Sequence, residues 1–151
     1  MSTMQRQSPR RRSDARPKRV FSLPEANRSL VLVGRIVRDI IREHARVLEL
    51  QEVLEQAPGQ DPARGQAGQE LRLLINRLGG FLQELDEMSV LLIDYSQGVV
   101  DFPSQLGGRE IYFCWHAGQE QIGSWHEVGG EAQPITLLSA QRSALAQPAG
   151  V

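Results

Sequence analysis

The chain has 151 residues, of which 40% are apolar, and its net charge is −1. This length fits one domain with tails, and the single cysteine excludes an internal disulfide. No apolar run approaches the ~18 residues of a membrane span, and the basic start lacks the apolar stretch of a secretory signal. We therefore expect a cytoplasmic protein that has no membrane partner.

Positive charge is concentrated at the start of the chain. Residues 1–20 carry seven basic side chains and one acidic one, whereas the remainder carries 10 basic and 17 acidic side chains. This tail has too little apolar surface to offset the entropy lost on folding, so we expect 1–20 to be disordered, and likewise 139–151. We expect the basic tail to bind nucleic acid only weakly, through charge alone, because no aromatic side chain interleaves its arginines.

A long helix is predicted over 22–57. Apolar or small residues recur at steps of three and four, the spacing of one helical face: Leu23, Ala26, Leu30, Val33, Val37, Ile40, Val47 and Leu54. Ser22 and Glu25 have the spacing of a capping box, with Pro24 in the first turn. The Pro-Gly pair at 58–59 ends the helix, and we expect a loop over 60–69.

A second helix is predicted over 66–88, with its own stripe of Leu71, Leu74, Leu78, Phe81, Leu85 and Met88. Two such stripes joined by a short connection pack antiparallel at a shallow angle, as a coiled-coil-like hairpin. Pairing Leu54 with the region of Ala67 places His44 beside Arg77, where we interpret it as a tolerated polar residue. A charged face is interpreted as solvated: Arg35, Arg38, Asp39, Arg42, Glu43 and Arg46.

The first helix carries a second apolar line, formed by Leu32, Ile36, Ile41 and Leu48. A stripe this wide needs two partner helices, of which the hairpin supplies one. A second copy of the chain, or another protein, could supply the other. The sequence therefore predicts a homodimer.

After residue 89 the pattern changes from helical to extended. Short apolar or aromatic runs at 90–93, 99–102, 111–116 and 121–128 are separated by turns, and Pro103 is expected to stop the second run. We expect an antiparallel β-meander of three or four strands that packs on the free end of the first helix. The sequence thus predicts a single α+β domain over 21–138, a helical hairpin followed by a small sheet.

The pairing of the last two strands follows from the position of their turn. A turn at Gly118 and Gln119 places Ile111 opposite His126 and so predicts the residues that share the inward face: Ile111, Phe113, Trp115, Ile122, Ser124 and His126. The outward face would then hold Tyr112, Cys114, His116, Gly123, Trp125 and Glu127.

Several runs of residues are familiar: Phe-Ser-Leu-Pro-Glu-Ala-Asn at 21–27, Gly-Val-Val-Asp-Phe-Pro at 98–103, Gly-Arg-Glu-Ile-Tyr-Phe-Cys-Trp at 108–115 and Trp-His-Glu at 125–127. Together they resemble the bacterial and archaeal domain-of-unknown-function family 2203, over about residues 21 to 135. Members usually have a longer glycine-rich loop with an arginine before Gln133, where this chain has only residues 129–132. The resemblance supports the domain boundaries and the fold and brings no established activity.

The side chains that could take part in catalysis or bind a metal form one candidate cluster, consisting of Asp101, Arg109, Cys114, His126 and Glu127. Our preferred interpretation is structural, with Arg109 paired to Asp101 or Glu127, and His126 donating to a backbone carbonyl or to Asp101. No cofactor is predicted. The alternative is one divalent metal ion held by Asp101, His126 and Glu127, although neighbouring residues of a strand point in opposite directions.

Two classes of function remain open. The first is a non-enzymatic interaction or assembly module, in which the wide apolar stripes of the hairpin bind another chain. The second is a small metal-dependent or acid–base enzyme with a site around Asp101, Arg109, His126 and Glu127. A nucleophilic role for Cys114 is disfavoured, because a thiol in mid-strand lacks the helix N-terminus that favours a thiolate.

Overall fold

The computed structural model describes residues 19–59 and 61–136, so both predicted disordered tails lie outside it, apart from residues 19 and 20. The elements are α1 Leu23–Gln56, α2 Pro62–Glu87, β1 Leu91–Asp94, β2 Val99–Leu106, β3 Arg109–His116, β4 Ser124–Glu127 and β5 Gln133–Pro134. The strands form one antiparallel sheet in sequence order. The predicted α+β fold, a helical hairpin followed by a β-meander, is confirmed, with five strands instead of three or four.

The start of α1 has the predicted capping box. The Ser22 hydroxyl accepts a hydrogen bond from the Glu25 backbone N–H at 3.2 Å, and the Glu25 carboxylate accepts one from the Ser22 backbone N–H at 3.1 Å. Hydrogen bonds from Ser22 lower the pKa of Glu25. The periodic spacing and the cap together give the predicted helix over nearly its whole length.

The second helix begins earlier than predicted. Asp61 caps it by accepting a hydrogen bond from the Ala63 N–H at 2.9 Å, and Pro62 lies in the first turn, where its missing N–H is not needed. The prediction of a loop over 60–69 is therefore wrong. Burial of Ala67 against α1 outweighs the low helix propensity of the glycines at 65 and 68.

The two helices pack antiparallel along the predicted apolar stripes. Val47, Leu50, Ala67, Leu74 and Leu78 are buried between them. Ion pairs fix the alignment, since Arg77 binds Glu43 at 2.9 Å and Arg46 binds Glu70 at 2.8 Å. Glu43 is only 6% exposed, so its assignment to a solvated face is wrong, and Arg77 supplies the charge that a buried carboxylate needs.

The sheet covers the N-terminal half of α1, as predicted for the free end of that helix. A side chain at Gly34 would meet the ring of Trp115 at 3.7 Å, so strand β3 lies directly on this helix face. Further along the helix, the ring of His44 lies 5.5 Å from that of Tyr95 in the β1–β2 turn. The hairpin pairs Arg77 with Glu43, one residue from the predicted neighbour His44, while the ring of His44 lies against Tyr95.

Gly98 marks the closest approach of the sheet to α1. Its φ is +76°, and a Cβ atom there would lie 2.6 Å from Ile41 Cδ1, 2.8 Å from Val37 Cγ1 and 2.9 Å from Ala117 Cβ. Both the positive φ and the lack of space require glycine. The turn before β2 can therefore lie flat on the helix.

Strand β2 continues through Pro103, where the sequence predicted that it would stop. The carbonyl of Pro103 accepts a hydrogen bond from the Phe21 N–H at 2.8 Å, and the Ser104 hydroxyl donates to the Phe21 carbonyl at 2.6 Å. The backbone N and O of one strand residue point to the same side, so the missing N–H of Pro103 faces the same edge as its carbonyl. Strand β1 pairs with β2 only up to Asp101, so no strand needs an N–H from Pro103 at that edge. The segment before α1 covers that edge.

The pairing of β3 with β4 differs by one residue from the prediction. Tyr112 pairs with His126 and Phe113 with Trp125, so Trp125 is the residue that points inward and His126 points outward. The connection between the strands is longer than a tight turn, and the Ile122 N–H is fixed by the Asn27 side chain of α1 at 2.8 Å. This shift puts the large indole in the core, where it buries the most apolar surface.

Candidate functional site

Three of the five candidate residues lie together on the outer face of the sheet, the face that points away from the helices. Asp101 on β2 pairs with Cys114 on β3, which pairs with Ser124 on β4, and His126 is the next outward residue of β4. The sequence had placed Cys114 and His126 on opposite faces, so the one-residue shift is what brings them together.

His126 uses both nitrogens of its ring. Nδ1 lies 2.9 Å from the backbone carbonyl oxygen of Glu127, and Nε2 lies 3.0 Å from Oδ2 of Asp101. The ring of Tyr112 stacks on the imidazole at a centroid distance of 5.4 Å. Because both neighbours are acceptors, a protonated ring donates to both and a neutral ring to only one. Both contacts agree with our structural interpretation of His126.

Asp101 is the most buried member of this cluster, at 6% exposure. Its Oδ1 atom is buried and has no hydrogen-bond partner within 19–59 and 61–136. A buried carboxylate is costly unless it is hydrogen-bonded, and here the imidazole of His126 supplies a side-chain partner to Oδ2. The pair therefore connects β2 to β4 across the width of β3.

Cys114 lies beside this carboxylate in mid-strand. Burial, followed by the negative charge of Asp101, raises the pKa of the Cys114 thiol to about 11. Burial also raises the pKa of Tyr112. The negative charge of Glu110, and to a smaller extent that of Asp101, acts in the same direction. A thiol with so high a pKa is a poor nucleophile at neutral pH, because little thiolate is present.

The other two candidates, Arg109 and Glu127, lie away from the cluster. Their side chains bind each other in an ion pair, as predicted, and both are about half exposed. Exposed pairs of this kind contribute about 1 kcal/mol or less to stability. Glu127 does not join Asp101 and His126, and no group of three or more His, Cys, Asp or Glu side chains in the described part of the chain could hold a metal ion.

A second candidate site follows the apolar face of α1 beyond the sheet. Gly34 lies under Trp115, and His44 lies against Tyr95 at the edge of the sheet. One helical turn further, Leu48 belongs to the same row but is 51% exposed. The helix face that the sheet covers therefore continues past the sheet as an exposed apolar surface.

The apolar face of α2 also continues past the edge of the sheet as an exposed surface. Leu82 and Tyr95 line a hollow of about 400 Å³ at the sheet edge. Two turns closer to the tip of the hairpin, Ile75 is 51% exposed. We define the distal patch as Leu48, Gln51, Leu71 and Ile75, which lie side by side because the hairpin aligns Glu43 with Arg77.

The opposite flank of the hairpin has a different character. Arg46 binds both Glu49 and Glu70 there, and Arg77 binds Glu43. These ion pairs interrupt the exposed apolar residues of that flank, Val53 and Leu73. On the flank of the distal patch, Leu48 and Ile75 are exposed apolar side chains, Leu71 is partly buried, and Gln51 is polar.

Comparison with known proteins agrees with the motifs in the sequence. Residues 19–131 match the domain-of-unknown-function family 2203, which is described as an uncharacterized conserved protein. The chain belongs to this family. No curated protein and no solved structure matches it. Membership in family 2203 therefore supplies boundaries for the domain and leaves its function to be argued from the structure.

Residues that make the chain resemble family 2203 have structural roles here. Ser22 and Glu25 cap α1, and Asn27, which our sequence analysis did not single out, accepts the hydrogen bond from Ile122. Gly98 permits the close approach to α1, and Asp101 binds His126.

None of the helices in the described ranges is long and apolar enough to span a membrane.

Proposed function

We propose that this protein is a non-enzymatic assembly module that associates with a second copy of itself through the distal patch of its hairpin. The observation that carries the proposal is the exposure of Leu48 and Ile75, which extend an apolar face whose proximal half the sheet covers. Exposed apolar surface that continues a core face is typical of interaction sites.

The centre of the distal patch is uncharged, while the exposed carboxylates of Glu52 and Glu55 border it on the same face of α1. The four residues of the patch, Leu48, Gln51, Leu71 and Ile75, are all uncharged. In a two-fold dimer each surface meets its own copy, so a charged centre would repel itself and an uncharged one does not. Glu49 and Arg46, which would disturb such a contact, are paired on the other flank.

The enzymatic alternative gains no comparable support. Both ring nitrogens of His126 are engaged, and the pKa of the Cys114 thiol is raised to about 11. Arg109 and Glu127 bind each other away from that pair. We therefore interpret the residues on the outer face of the sheet as structural.

The test is the mass of the protein in solution as a function of concentration. We expect the mass of full-length protein to rise from 16.9 kDa toward twice that value across the micromolar range, as measured by sedimentation equilibrium. Leu48→Glu places a charge on the patch and should keep the protein at 16.9 kDa. Circular dichroism checks that the variant remains folded, which we expect because the site is half exposed.

Leu32→Glu is the matched control. Leu32 is 50% exposed on the same helix, and it lies about 160° around the helix from Leu48, because 16 residues separate the two. The expectation that Leu32 and Leu48 belong to one apolar line is therefore wrong. We expect this variant to associate like the wild type. A wild-type mass of 16.9 kDa up to hundreds of micromolar, or equal loss of association in both variants, would contradict the proposal.

A further inference from the structure

The buried carboxylate of Asp101 has one oxygen that His126 does not reach. Oδ2 lies 3.0 Å from Nε2 of His126, whereas Oδ1 is buried and has no hydrogen-bond partner in the part of the chain that the structure describes. Asp101 is only 6% exposed, so bulk water does not solvate this atom. Buried carboxylate oxygens nearly always accept a hydrogen bond, because losing water without gaining a donor is costly. Oδ1 therefore calls for a donor.

The side chain directly across the strand pair from Asp101 is the thiol of Cys114. The two residues are register partners on β2 and β3, and both point to the outer face of the sheet. Opposed residues of an antiparallel pair have Cβ atoms about 4.5–5.5 Å apart, within reach of an S–H donor. The thiol hydrogen turns freely about the Cβ–Sγ bond, so it can be directed at Oδ1.

The thiol also keeps the proton that such a bond needs. Burial raises the pKa of the Cys114 thiol, and the negative charge of Asp101 and a hydrogen bond to its carboxylate act in the same direction. A thiol held in its protonated form is available as a donor at neutral pH.

The other polar side chains around this carboxylate are already engaged. The Tyr112 hydroxyl lies 3.2 Å from a carboxylate oxygen of Glu110, and both ring nitrogens of His126 have acceptors. Ser124 lies on the far side of Cys114, where its hydrogen bond to the thiol lowers the pKa of that group. Among the neighbouring side chains, this leaves Cys114 to serve Oδ1.

We propose that the Cys114 thiol donates a hydrogen bond to Oδ1 of Asp101 and so holds the carboxylate in the plane in which Oδ2 meets His126. Cys114 is then a positioning residue, and an unreactive, protonated thiol is the state that its role requires. The carboxylate is fixed by two donors, one from β3 and one from β4. This inference is independent of the proposed self-association.

The infrared S–H stretching band of the full-length protein tests the hydrogen bond directly. Cys114 is the single cysteine of the chain, so the band has one source. We expect the band of the folded protein at a lower wavenumber than that of the same chain unfolded in urea, because donation to a carboxylate weakens the S–H bond. Asp101→Asn leaves a neutral acceptor and should move the band back toward the unfolded position. A band at the same position in folded and unfolded wild type would overturn the proposal.

A pair of substitutions at Cys114 tests the effect on His126. Cys114→Ser and Cys114→Ala both remove the sulfur, but only serine keeps a donor. We expect the His126 imidazole signals in NMR spectra and the urea midpoint to stay near their wild-type values in Cys114→Ser and to change in Cys114→Ala. His116→Ser and His116→Ala, at the exposed end of β3, are the matched control and should be alike. Equal behaviour of the two Cys114 variants would assign Oδ1 to another donor, such as an internal water molecule, and overturn the proposal.

Discussion

Nε2 of His126 lies 3.0 Å from Oδ2 of Asp101, and the contact spans the full width of strand β3. The carboxylate is buried, with one oxygen that has no partner among residues 19–59 and 61–136. The imidazole is therefore the group that makes burial of this charge tolerable. The stability of the sheet should depend on this pair more than on any exposed ion pair.

Removal of the imidazole should destabilise the fold strongly. We expect His126→Ala to lower the free energy of unfolding by about 3 kcal/mol, because it leaves the buried Asp101 carboxylate without the hydrogen bond of the imidazole. Urea denaturation followed by circular dichroism measures this difference. His116→Ala is the control, since His116 is exposed at the end of the neighbouring strand and should change stability by less than about 0.5 kcal/mol.

A double substitution separates the charge from the packing of the ring. In the His126→Ala background, Asp101→Asn removes the unpaired charge and should recover part of the lost stability. If Asp101→Asn instead lowers stability further in that background, the carboxylate is stabilised by something other than His126. A loss below about 1 kcal/mol in His126→Ala alone would also contradict the assigned role, since removing one partner of a buried pair costs more.

Two glycines with similar backbone angles should respond very differently to substitution. Gly98 has a φ of +76° and Gly108 a φ of +78°, but of the two only Gly98 has atoms within 3 Å of the position that a Cβ atom would occupy. We expect Gly98→Ala to destabilise by about 3 kcal/mol, from backbone strain plus overpacking against Val37 and Ile41.

Gly108→Ala bears the backbone strain alone and should destabilise by about 1 kcal/mol. Thermal unfolding of the two variants side by side measures the difference. Equal losses would show that the sheet moves away from α1 without cost, contrary to the close packing at Gly98.

Asn27 connects the first helix to the loop before β4. Its side-chain oxygen accepts the hydrogen bond of the Ile122 N–H at 2.8 Å. We expect Asn27→Ala to destabilise by about 1 kcal/mol or somewhat more, because a partly buried donor loses its acceptor. Asn27→Asp keeps an acceptor at the same place and should lose less. Amide hydrogen exchange at Ile122 should quicken in Asn27→Ala and stay slow in Asn27→Asp.

The thiol of Cys114 should be unreactive in the folded protein. Its pKa of about 11, against an ordinary value of 9.0, means that the thiolate fraction at pH 8 is about a hundredfold lower than usual. Alkylation by iodoacetamide at pH 8 should be slower by about that factor than in the same chain unfolded in urea. Equal rates would contradict the raised pKa.

The same shift predicts how stability depends on alkaline pH. Between pH 9 and 11 the unfolded chain releases the Cys114 proton while the folded chain keeps it, so stability falls as pH rises through this window. Tyr112, whose pKa is also raised, acts in the same direction at somewhat higher pH. Cys114→Ser should show a shallower decline in urea midpoints between pH 9 and 11 than the wild type.

Local sequence determined the elements of this protein. The steps of three and four residues specify α1 and the apolar face of α2, and the Ser22–Glu25 box fixes where α1 begins. The aromatic and β-branched residues of 111–116 specify β3. The pairing of His126 with Asp101, and of Arg109 with Glu127, was in each case one of two alternatives that the sequence predicted.

Only the tertiary structure decided which face each residue of β4 presents. A one-residue change in pairing reverses every side chain of a strand, and the pairing here depends on the loop from 117 to 123. That loop is held by Asn27, 95 residues earlier in the chain, and by burial of Trp125. Contacts between residues so far apart in the chain produce no periodic pattern in the sequence. For this reason the sequence did not predict that Cys114 and His126 share one face of the sheet.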